Sequence, residues 1–285
     1  MSLRYVIGID HVVVLVQNLE AAAERWMKFG FTISPRGTHS AKLGSGNYTI
    51  MFGHDYIELL GILNATEHNG PSRAFLAERG GGIERIAFGT TNAAAGANEL
   101  RSQGIEAIGP IEFGRPVQLP HGGQSEARFS IFDWPHEEAP AQVRIFACQH
   151  HTRESVWIPE LQRHMNSAKG LQQVLIVSPE PESDARHMQR LTKGERHAGP
   201  DGDVVVTTGS MRADILFLTR SELARKFPKV SLTGLPDRGG AGLVIAVDDI
   251  EAAALAVGPA GVKIDHCVAV PPSVADGVLL VFVER

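Results

Sequence analysis

Two side chains that can transfer protons or bind metals stand inside runs of apolar, β-prone residues. His11 lies within residues 8–16, and Glu58 lies within residues 56–60. Taken alone, His11 is typical of a core histidine with one ring nitrogen bonded to a backbone carbonyl. A buried carboxylate is costly, or becomes neutral, unless a cation or a hydrogen-bond donor meets it. We therefore expect a polar partner for Glu58, and Arg85 is the candidate.

The run that contains His11 is the first of four similar phrases. Each phrase is a β-branched strand pattern followed by a predicted helix, in three copies through a short turn with an Asn or Asp that can cap the helix. The strand parts are residues 8–16, 82–88, 170–177 and 240–247. In the third copy, which is weaker, the predicted helix spans residues 180–191. Self-similarity at this irregular spacing indicates four modules rather than a solenoid.

The pattern after each helix changes to an extended one. In the first module, residues 32–33, 47–52 and 56–60 predict three more strands between glycine-containing turns. The second module predicts strands near residues 109–113, 126–132 and 142–148, with a long loop at residues 115–124. The last strands of the other two modules fall at residues 214–218 and 278–283. We predict an α+β fold with one domain at residues 5–152, a helical linker at 153–169 and a second domain of abbreviated modules at 170–285.

Composition excludes several classes of protein. The formal net charge of −5, with scattered Lys and Arg, gives no basic stripe for nucleic acid. No apolar run approaches the roughly 20 residues of a membrane span, and the first residues lack a secretory signal, so a cytoplasmic location is expected. The two cysteines, Cys148 and Cys267, lack the spacing of a disulfide framework or a thiolate zinc site.

The motifs around His11 and Glu58 resemble a known superfamily. Ile9-Asp10-His11-Val12-Val13 and Tyr56-Ile57-Glu58-Leu59-Leu60 look like the ligand strands of the vicinal oxygen chelate (glyoxalase/bleomycin resistance/dioxygenase) proteins. Gly37-Thr38-His39, Leu43-Gly44-Ser45-Gly46-Asn47 and Phe146-Ala147-Cys148-Gln149-His150-His151 are similar to the narrower group of glyoxalase-like domain proteins. The resemblance implies that modules pair to form curved mixed sheets, two cups in all, and that the first and fourth strands of each module place side chains in the cup.

The resemblance also implies a metal site, but only half of its ligands are present. His11 and Glu58 can ligate, whereas Arg85 and Phe146 stand at the corresponding positions of the second module and cannot. A divalent ion (Zn, Ni, Mn or Fe) would therefore need His39, His121 or His150 to complete its coordination. The alternative is a metal-free cup with a Glu58–Arg85 ion pair on its floor. In the C-terminal cup, Gln173, Gly242 or Leu243, Leu216 and Leu280 occupy these positions, and no metal is expected there.

Four further residues are candidates for substrate binding. His39 and Asn47 can donate hydrogen bonds to a ligand oxygen, although Asn47 could instead cap a glycine-rich turn. His121 lies on the long loop, where an idle surface histidine is equally common. His150 and His151 alternate across a strand end, so at most one faces the cup. Trp134 and Trp157 are expected either to wall the cup or to pack the boundary between domains.

Two functional hypotheses remain open. The first is an enzyme that acts on a small oxygenated metabolite by proton abstraction or isomerisation, as a lyase, or as a dioxygenase-like enzyme. Glu58 and His11 would be its catalytic residues, and the substrate would be bound by His39, Asn47, Arg85, His121 and His150. The second is a protein that sequesters a small molecule without changing it, as the antibiotic-resistance members of the superfamily do. Modules can close a cup within one chain or between two chains, and a homodimer is the expected assembly.

Overall fold

The four repeated phrases each form the first strand of a β-α-β-β-β module. The computed structural model describes residues 3–119, 122–199 and 201–285. The first module comprises β1 (Val6–Val16), α1 (Leu19–Lys28), β2 (Gly37–Thr38), β3 (Ser45–Met51) and β4 (Tyr56–Ile62), and α2 (Gly70–Arg79) leads to the second module. The second comprises β5 (Gly81–Thr90), α3 (Ala93–Ser102), β6 (Ile108–Gln118), β7 (Gln124–Asp133) and β8 (Arg144–His150).

The C-terminal half repeats this order with shorter strands. The third module comprises β9 (Ala168–Val177), α4 (Pro181–Thr192), β10 (Arg196–Ala198), β11 (Val204–Val206) and β12 (Asp214–Leu218), and it is followed by α5 (Arg220–Lys226). The fourth comprises β13 (Gly239–Val247), α6 (Ile250–Val257), β14 (Val262–Ile264), β15 (Cys267–Val270) and β16 (Leu279–Glu284). The predicted α+β fold of four modules is therefore confirmed.

Each pair of modules shares one curved eight-stranded sheet. The strand order is β2-β3-β4-β1-β5-β8-β7-β6 in the N-terminal sheet and β10-β11-β12-β9-β13-β16-β15-β14 in the C-terminal sheet. The first strands of the two modules pair antiparallel at the centre, and each runs parallel to the fourth strand of its own module. In the N-terminal sheet the two edge strands, β2 and β6, also approach each other, so this sheet nearly closes into a barrel.

Short polar side chains begin the module helices where the sequence pattern predicts them. Asn18 Oδ1 accepts a hydrogen bond from the Ala21 amide at 3.0 Å, and Asn92 does the same for Ala95 at 2.9 Å. Asp249 accepts from the amides of Glu251 and Ala252. Because each cap satisfies amides that have no partner within the helix, these three helices start at the same point of the repeat.

A β-bulge recurs in the first strand of all four modules. The extra residues are Asp10, Glu84, Gln172 and Ala241, and each lies one residue before the position that faces the cup: His11, Arg85, Gln173 and Gly242. A bulge bends the strand and breaks the strict alternation of side chains, so two consecutive side chains can act together. This repeated irregularity is what places Asp10 beside His11 and Glu84 beside Arg85.

One apolar core joins the two halves, and a second fills the C-terminal cup. The larger cluster contains buried residues of both sheets and of the helices packed on them. The smaller cluster lies on the concave face of the C-terminal sheet, where Leu216 and Leu279 meet Leu223, Phe227 and Leu235 from α5 and the segment after it. Because a continuous core spans both halves, the proposed domain limits stay a prediction. The segment at 153–169 contains two short 3₁₀ turns, Arg153–Ser155 and Pro159–Gln162.

The predicted loop at residues 115–124 is largely strand. Strand β6 continues through Arg115 to Gln118 despite Pro116, and β7 resumes at Gln124. Proline cannot donate to a neighbouring strand, but β6 is an edge strand, so the missing donor can face outward. Residues 120 and 121 lie outside the described part of the chain.

Candidate functional site

A cavity of about 580 Å³ occupies the concave face of the N-terminal sheet. One end is polar, and the walls are mainly aliphatic and aromatic, with Val13, Leu60, Ile111, Phe113, Phe129 and Phe146 among them. A mostly apolar pocket with a few converging polar groups is the usual form of a small-molecule site. Within the described residues the C-terminal cup is instead packed by its own apolar cluster.

Five of the predicted site residues line this cavity. They are His11, His39, Asn47, Glu58 and Arg85. His150 lies behind His11 and is not among the residues that line the cavity. His121 lies outside the described residues, so its role stays a prediction.

Glu58 is held ionised at the polar end. Asn47 Nδ2 donates to Glu58 Oε1 at 2.6 Å, and His11 Nε2 lies 3.7 Å from Glu58 Oε2. Burial raises the pKa of Glu58, but the positive charges of His11 and His39 and the bond from Asn47 outweigh it, so the pKa lies below its ordinary value. The carboxylate is therefore charged at neutral pH.

Asp10 fixes the orientation of His11 from behind, a role that the sequence pattern did not indicate. Asp10 Oδ2 accepts hydrogen bonds from His11 Nδ1 at 2.8 Å and from His150 Nε2 at 2.9 Å. Burial opposes ionisation, but the hydrogen bonds and charges of both histidines hold the pKa of Asp10 far below its usual range. His151 bonds to Ser130 Oγ at 2.7 Å instead.

His11 Nε2 and Glu58 Oε2 face each other without a hydrogen bond. An ionised carboxylate only accepts hydrogen bonds, so the nitrogen that His11 turns to Asp10 carries a proton. The remaining nitrogen, Nε2, then faces the charged Glu58 across 3.7 Å. A lone pair and a carboxylate repel at this distance, and a divalent ion held by both atoms would relieve that repulsion.

His11 and Glu58 supply two of the ligand atoms that a divalent ion needs. A histidine nitrogen and a carboxylate oxygen 3.7 Å apart can contact the same ion, and a carboxylate that orients the ligating histidine is the usual support of such a site. Asn47 Oδ1 is buried nearby without a hydrogen-bond partner. Asp10, His11 and His150 also cluster closely enough to hold an ion, but their facing atoms already hydrogen-bond one another. The Glu58 side of His11 is therefore the better position.

The predicted Glu58–Arg85 ion pair is wrong. Arg85 Nε donates to Glu84 Oε2 at 2.6 Å, and the guanidinium of Arg144 also binds Glu84. Because Glu84 is the extra residue of the bulge in β5, its side chain reaches its neighbour instead of turning to the opposite face. Arg85 still lines the cavity, with its charge shared with Glu84.

The register of the strands supports the alignment of the two N-terminal modules. His11 pairs with Tyr56, and Glu58 follows two residues later on the same face. In the second module Arg85 pairs with Arg144, and Phe146 follows two residues later. The second module therefore contributes cations and a ring where the first contributes an imidazole and a carboxylate.

His39 and Asn47 form the side of the polar end. His39 Nδ1 lies 2.8 Å from Ser45 Oγ, and burial lowers the pKa of His39, partly offset by Glu58. Asn47 lies within β3 rather than in a turn. Both side chains can therefore present a neutral donor to a ligand oxygen.

Arg115 also lines the cavity, although the sequence pattern placed it in a loop. It reaches the polar end from β6, on the far edge of the sheet. Trp134 lies at the boundary between the halves, where its Nε1 donates to the Leu191 carbonyl oxygen at 3.1 Å. Trp157 packs its ring against Tyr56 and His150.

Paired βαβββ modules with a cavity on the concave face of their shared sheet define the vicinal oxygen chelate class of proteins. The model of the glyoxalase-like domain family matches residues 9–192, and the chain belongs to that family. No curated protein matches.

Two solved structures have a similar fold, and a third matches part of the chain. A hypothetical protein from Staphylococcus aureus is 12% identical with a TM-score of 0.67, covering 97% of this chain and 99% of that one. A xylose isomerase-like TIM barrel/4-hydroxyphenylpyruvate dioxygenase fusion protein is 12% identical with a TM-score of 0.59, covering 100% of this chain and 49% of that one. Methylmalonyl-CoA epimerase from Mycobacterium tuberculosis is 22% identical with a TM-score of 0.39, covering 52% of this chain and 90% of that one.

In the described residues, no helix has the length and apolar character needed to cross a bilayer.

Proposed function

We propose that the N-terminal cavity binds a small oxygenated metabolite and catalyses a proton transfer on it, as in an isomerisation or a lyase reaction. The observation that carries this proposal is Glu58, a charged carboxylate at the polar end of a mostly apolar cavity of about 580 Å³. A carboxylate in this setting is positioned to accept a proton from a bound molecule.

The neighbouring side chains have separate roles. Glu58 is the base, and because its pKa is low it needs a substrate whose C–H bond is acidified by an adjacent carbonyl. His39 and Asn47 donate hydrogen bonds to the oxygen on which negative charge develops. Arg85 adds positive charge at the wall, and His150 acts through Asp10 by orienting His11.

His11 and Glu58 are the residues that would hold a divalent ion such as Zn, Ni, Mn or Fe. When bound, such an ion polarises substrate oxygens and stabilises negative charge on them. Asp10 would keep the His11 ring in the orientation that presents Nε2 to the cavity.

The alternative is a protein that binds its ligand without chemistry. One observation favours it: the second module places Arg85 and Phe146 where the first places His11 and Glu58, so the cup carries half of a ligand set. The cavity and its apolar walls would serve sequestration equally well. A homodimer stays the expected assembly under either function.

The test compares proton exchange with binding. Carbonyl and carboxylate compounds that stabilise the wild-type protein thermally are incubated with it in D₂O, and loss of the proton beside the carbonyl is followed by NMR. We expect exchange in the wild type and a reduction of about 10²–10⁴-fold in Glu58→Gln. Glu126→Gln, an exposed change on β7, is the matched control.

Binding without exchange in the wild type would establish the sequestering alternative. Exchange that persists in Glu58→Gln would show that another group is the base. A large fall in the melting temperature of Glu58→Gln with unchanged exchange would give Glu58 a structural role.

A further inference from the structure

Among the described residues, one guanidinium in the cavity makes no hydrogen bond or ion pair. Of the three arginines that line the cavity, Arg85 and Arg144 bind Glu84. Arg115 is half-buried and makes no hydrogen bond or ion pair with any residue of the described chain. A cation in this position leaves its donors available to a ligand.

The opposite edge of the sheet makes room for Arg115. A side-chain carbon added at Gly37 on β2 would overlap Asn47 Oδ1 and lie 2.6 Å from Arg115 Nη1. The guanidinium therefore crosses from β6 to the backbone of β2 and ends beside Asn47. Since Asn47 Nδ2 binds Glu58, Arg115 lies next to the proposed base. Its positive charge helps to lower the pKa values of Glu58 and His39, after the larger effects of burial and nearer groups.

We propose that Arg115 anchors the carboxylate of the substrate, and that the substrate is a monocarboxylic acid with an apolar body. The inference rests on the proposed function and specifies its substrate. A planar guanidinium with free donors matches a carboxylate by two parallel hydrogen bonds. The apolar walls accept the rest of the molecule. One guanidinium beside Glu58 suits one negative charge at this end of the cavity, whereas a phosphate dianion there would meet stronger repulsion from that carboxylate.

The anchor also explains how Glu58 stays free to react. A substrate carboxylate held by Arg115 is neutralised there, so it does not compete for His11 or Asn47.

The experiment measures the affinity of matched acids and amides by calorimetry. The ligands are straight-chain carboxylates of three to eight carbons, phenyl-substituted carboxylates, the primary amides of the same acids, and phosphate monoesters of matching length. The proteins are wild type, Arg115→Met, Gly37→Ala and Arg128→Met. Arg128 is an exposed arginine on the adjacent strand β7, outside the cavity, and its variant removes the same charge.

We expect the acids to bind the wild type at least about tenfold more tightly than their amides, and the phosphate esters to bind weakly. Arg115→Met should reduce acid affinity by about tenfold or more and leave amide affinity unchanged. Gly37→Ala should also weaken acid binding without removing a charge, because the added carbon displaces the Arg115 guanidinium together with Asn47 Oδ1. Arg128→Met should match the wild type.

Two results would overturn the inference and leave the proposed function intact: equal affinity for acids and amides, or full acid affinity in both Arg115→Met and Gly37→Ala. Tighter binding of the phosphate esters would overturn the monocarboxylic acid as the ligand class. If no compound in the panel binds the wild type, this inference fails, and the proposed function is decided separately by the exchange test with carbonyl compounds.

Discussion

An acidic residue in a β-bulge has a different effect in each half of the N-terminal cup. In β1 a bulged acid, Asp10, orients an imidazole, and in β5 a bulged acid, Glu84, neutralises a guanidinium. His11 keeps one nitrogen for the cavity because its other nitrogen is bound to Asp10. The charge of Arg85 is instead partly neutralised by Glu84. The acidic residue in the bulge therefore determines which hydrogen-bonding atoms and how much charge the neighbouring side chain can offer to a ligand.

Asp10→Asn tests this control at the level of one residue. Both histidines bond to the same oxygen, Asp10 Oδ2, so an asparagine keeps an acceptor there but loses the negative charge that strengthens both bonds, and the His11 ring should be held less firmly. We expect Zn²⁺ affinity, measured by calorimetry on chelator-treated protein, to fall by about 10–100-fold.

Asp265→Asn, an exposed change in the C-terminal half, is the control and should bind Zn²⁺ as the wild type does. The same samples can be checked by NMR of the imidazole nitrogens. An unchanged Zn²⁺ affinity in Asp10→Asn, with the His11 proton still on Nδ1, would remove Asp10 from the site.

Most of the polar end could be predicted from the sequence, and the supporting residues could not. His11, His39, Asn47 and Glu58 stand in motifs that are each local in sequence, and all four line the cavity. Asp10 was missed because neighbours in a regular strand face opposite sides, and nothing in the sequence marks a bulge. Arg115 was missed because Gly114 and Pro116 resemble loop residues, although an edge strand tolerates them.

At the scale of elements, the strands and helices could be predicted from the sequence. Which segment packs into a cup could not. The strand patterns and helix caps are encoded within about ten residues, which is why the module repeat is visible. Helix α5 and the segment after it fill the C-terminal cup through contacts with strands far away in sequence. The short α5 pattern alone does not indicate whether that segment covers a cup or leaves it open.

Paired phenylalanine variants distinguish a filled cup from an open one. Phe227 is buried among the residues that fill the C-terminal cup, so Phe227→Ala should cost about 3–5 kcal/mol of unfolding free energy, measured by urea denaturation. Phe146 borders the open cavity and packs edge-on against His11 at 5.4 Å between ring centroids, so Phe146→Ala should cost about 1–2 kcal/mol.

Ligand binding should respond in the opposite way. Phe146→Ala should weaken the compounds that stabilise the wild type, while Phe227→Ala should leave them unaffected below its own unfolding transition. Equal losses of stability in the two variants would mean that the cups are filled to the same degree.

At the scale of the whole molecule, the C-terminal half supports the strands that carry the site. Arg212 Nη1 donates to the Ile9 carbonyl oxygen at 3.1 Å, one residue before the bulge in β1. Asp55, just before β4, accepts a hydrogen bond from the Leu171 amide on β9 at 3.0 Å. These contacts hold the start of β4 and the bulge against the second sheet, so the C-terminal half supports the strands that line the N-terminal cavity.

Asp55 makes this contact sensitive to pH. Burial raises the pKa of Asp55 to about 7, offset in part by the bond from Leu171. Between its ordinary value of 3.8 and about 7, the folded protein keeps a proton that the unfolded chain has released. Unfolding then releases a proton, so the contribution of Asp55 to stability is greatest at low pH and falls as the pH rises through this window. The loss should be roughly 1–4 kcal/mol by pH 8.

Asp55→Asn keeps the acceptor for Leu171 and removes the charge, so its unfolding free energy should exceed that of the wild type at pH 8 and approach it near pH 4. The difference between the two proteins, measured by urea denaturation from pH 4 to 8, isolates Asp55 from other titrating groups. Asp237→Asn, whose side chain is 99% exposed, should show no such difference. A difference that stays flat with pH would mean that Asp55 is ionised in the folded protein. Arg212 would then neutralise that charge across the boundary, and the two halves would be joined by an ion pair instead of a neutral hydrogen bond.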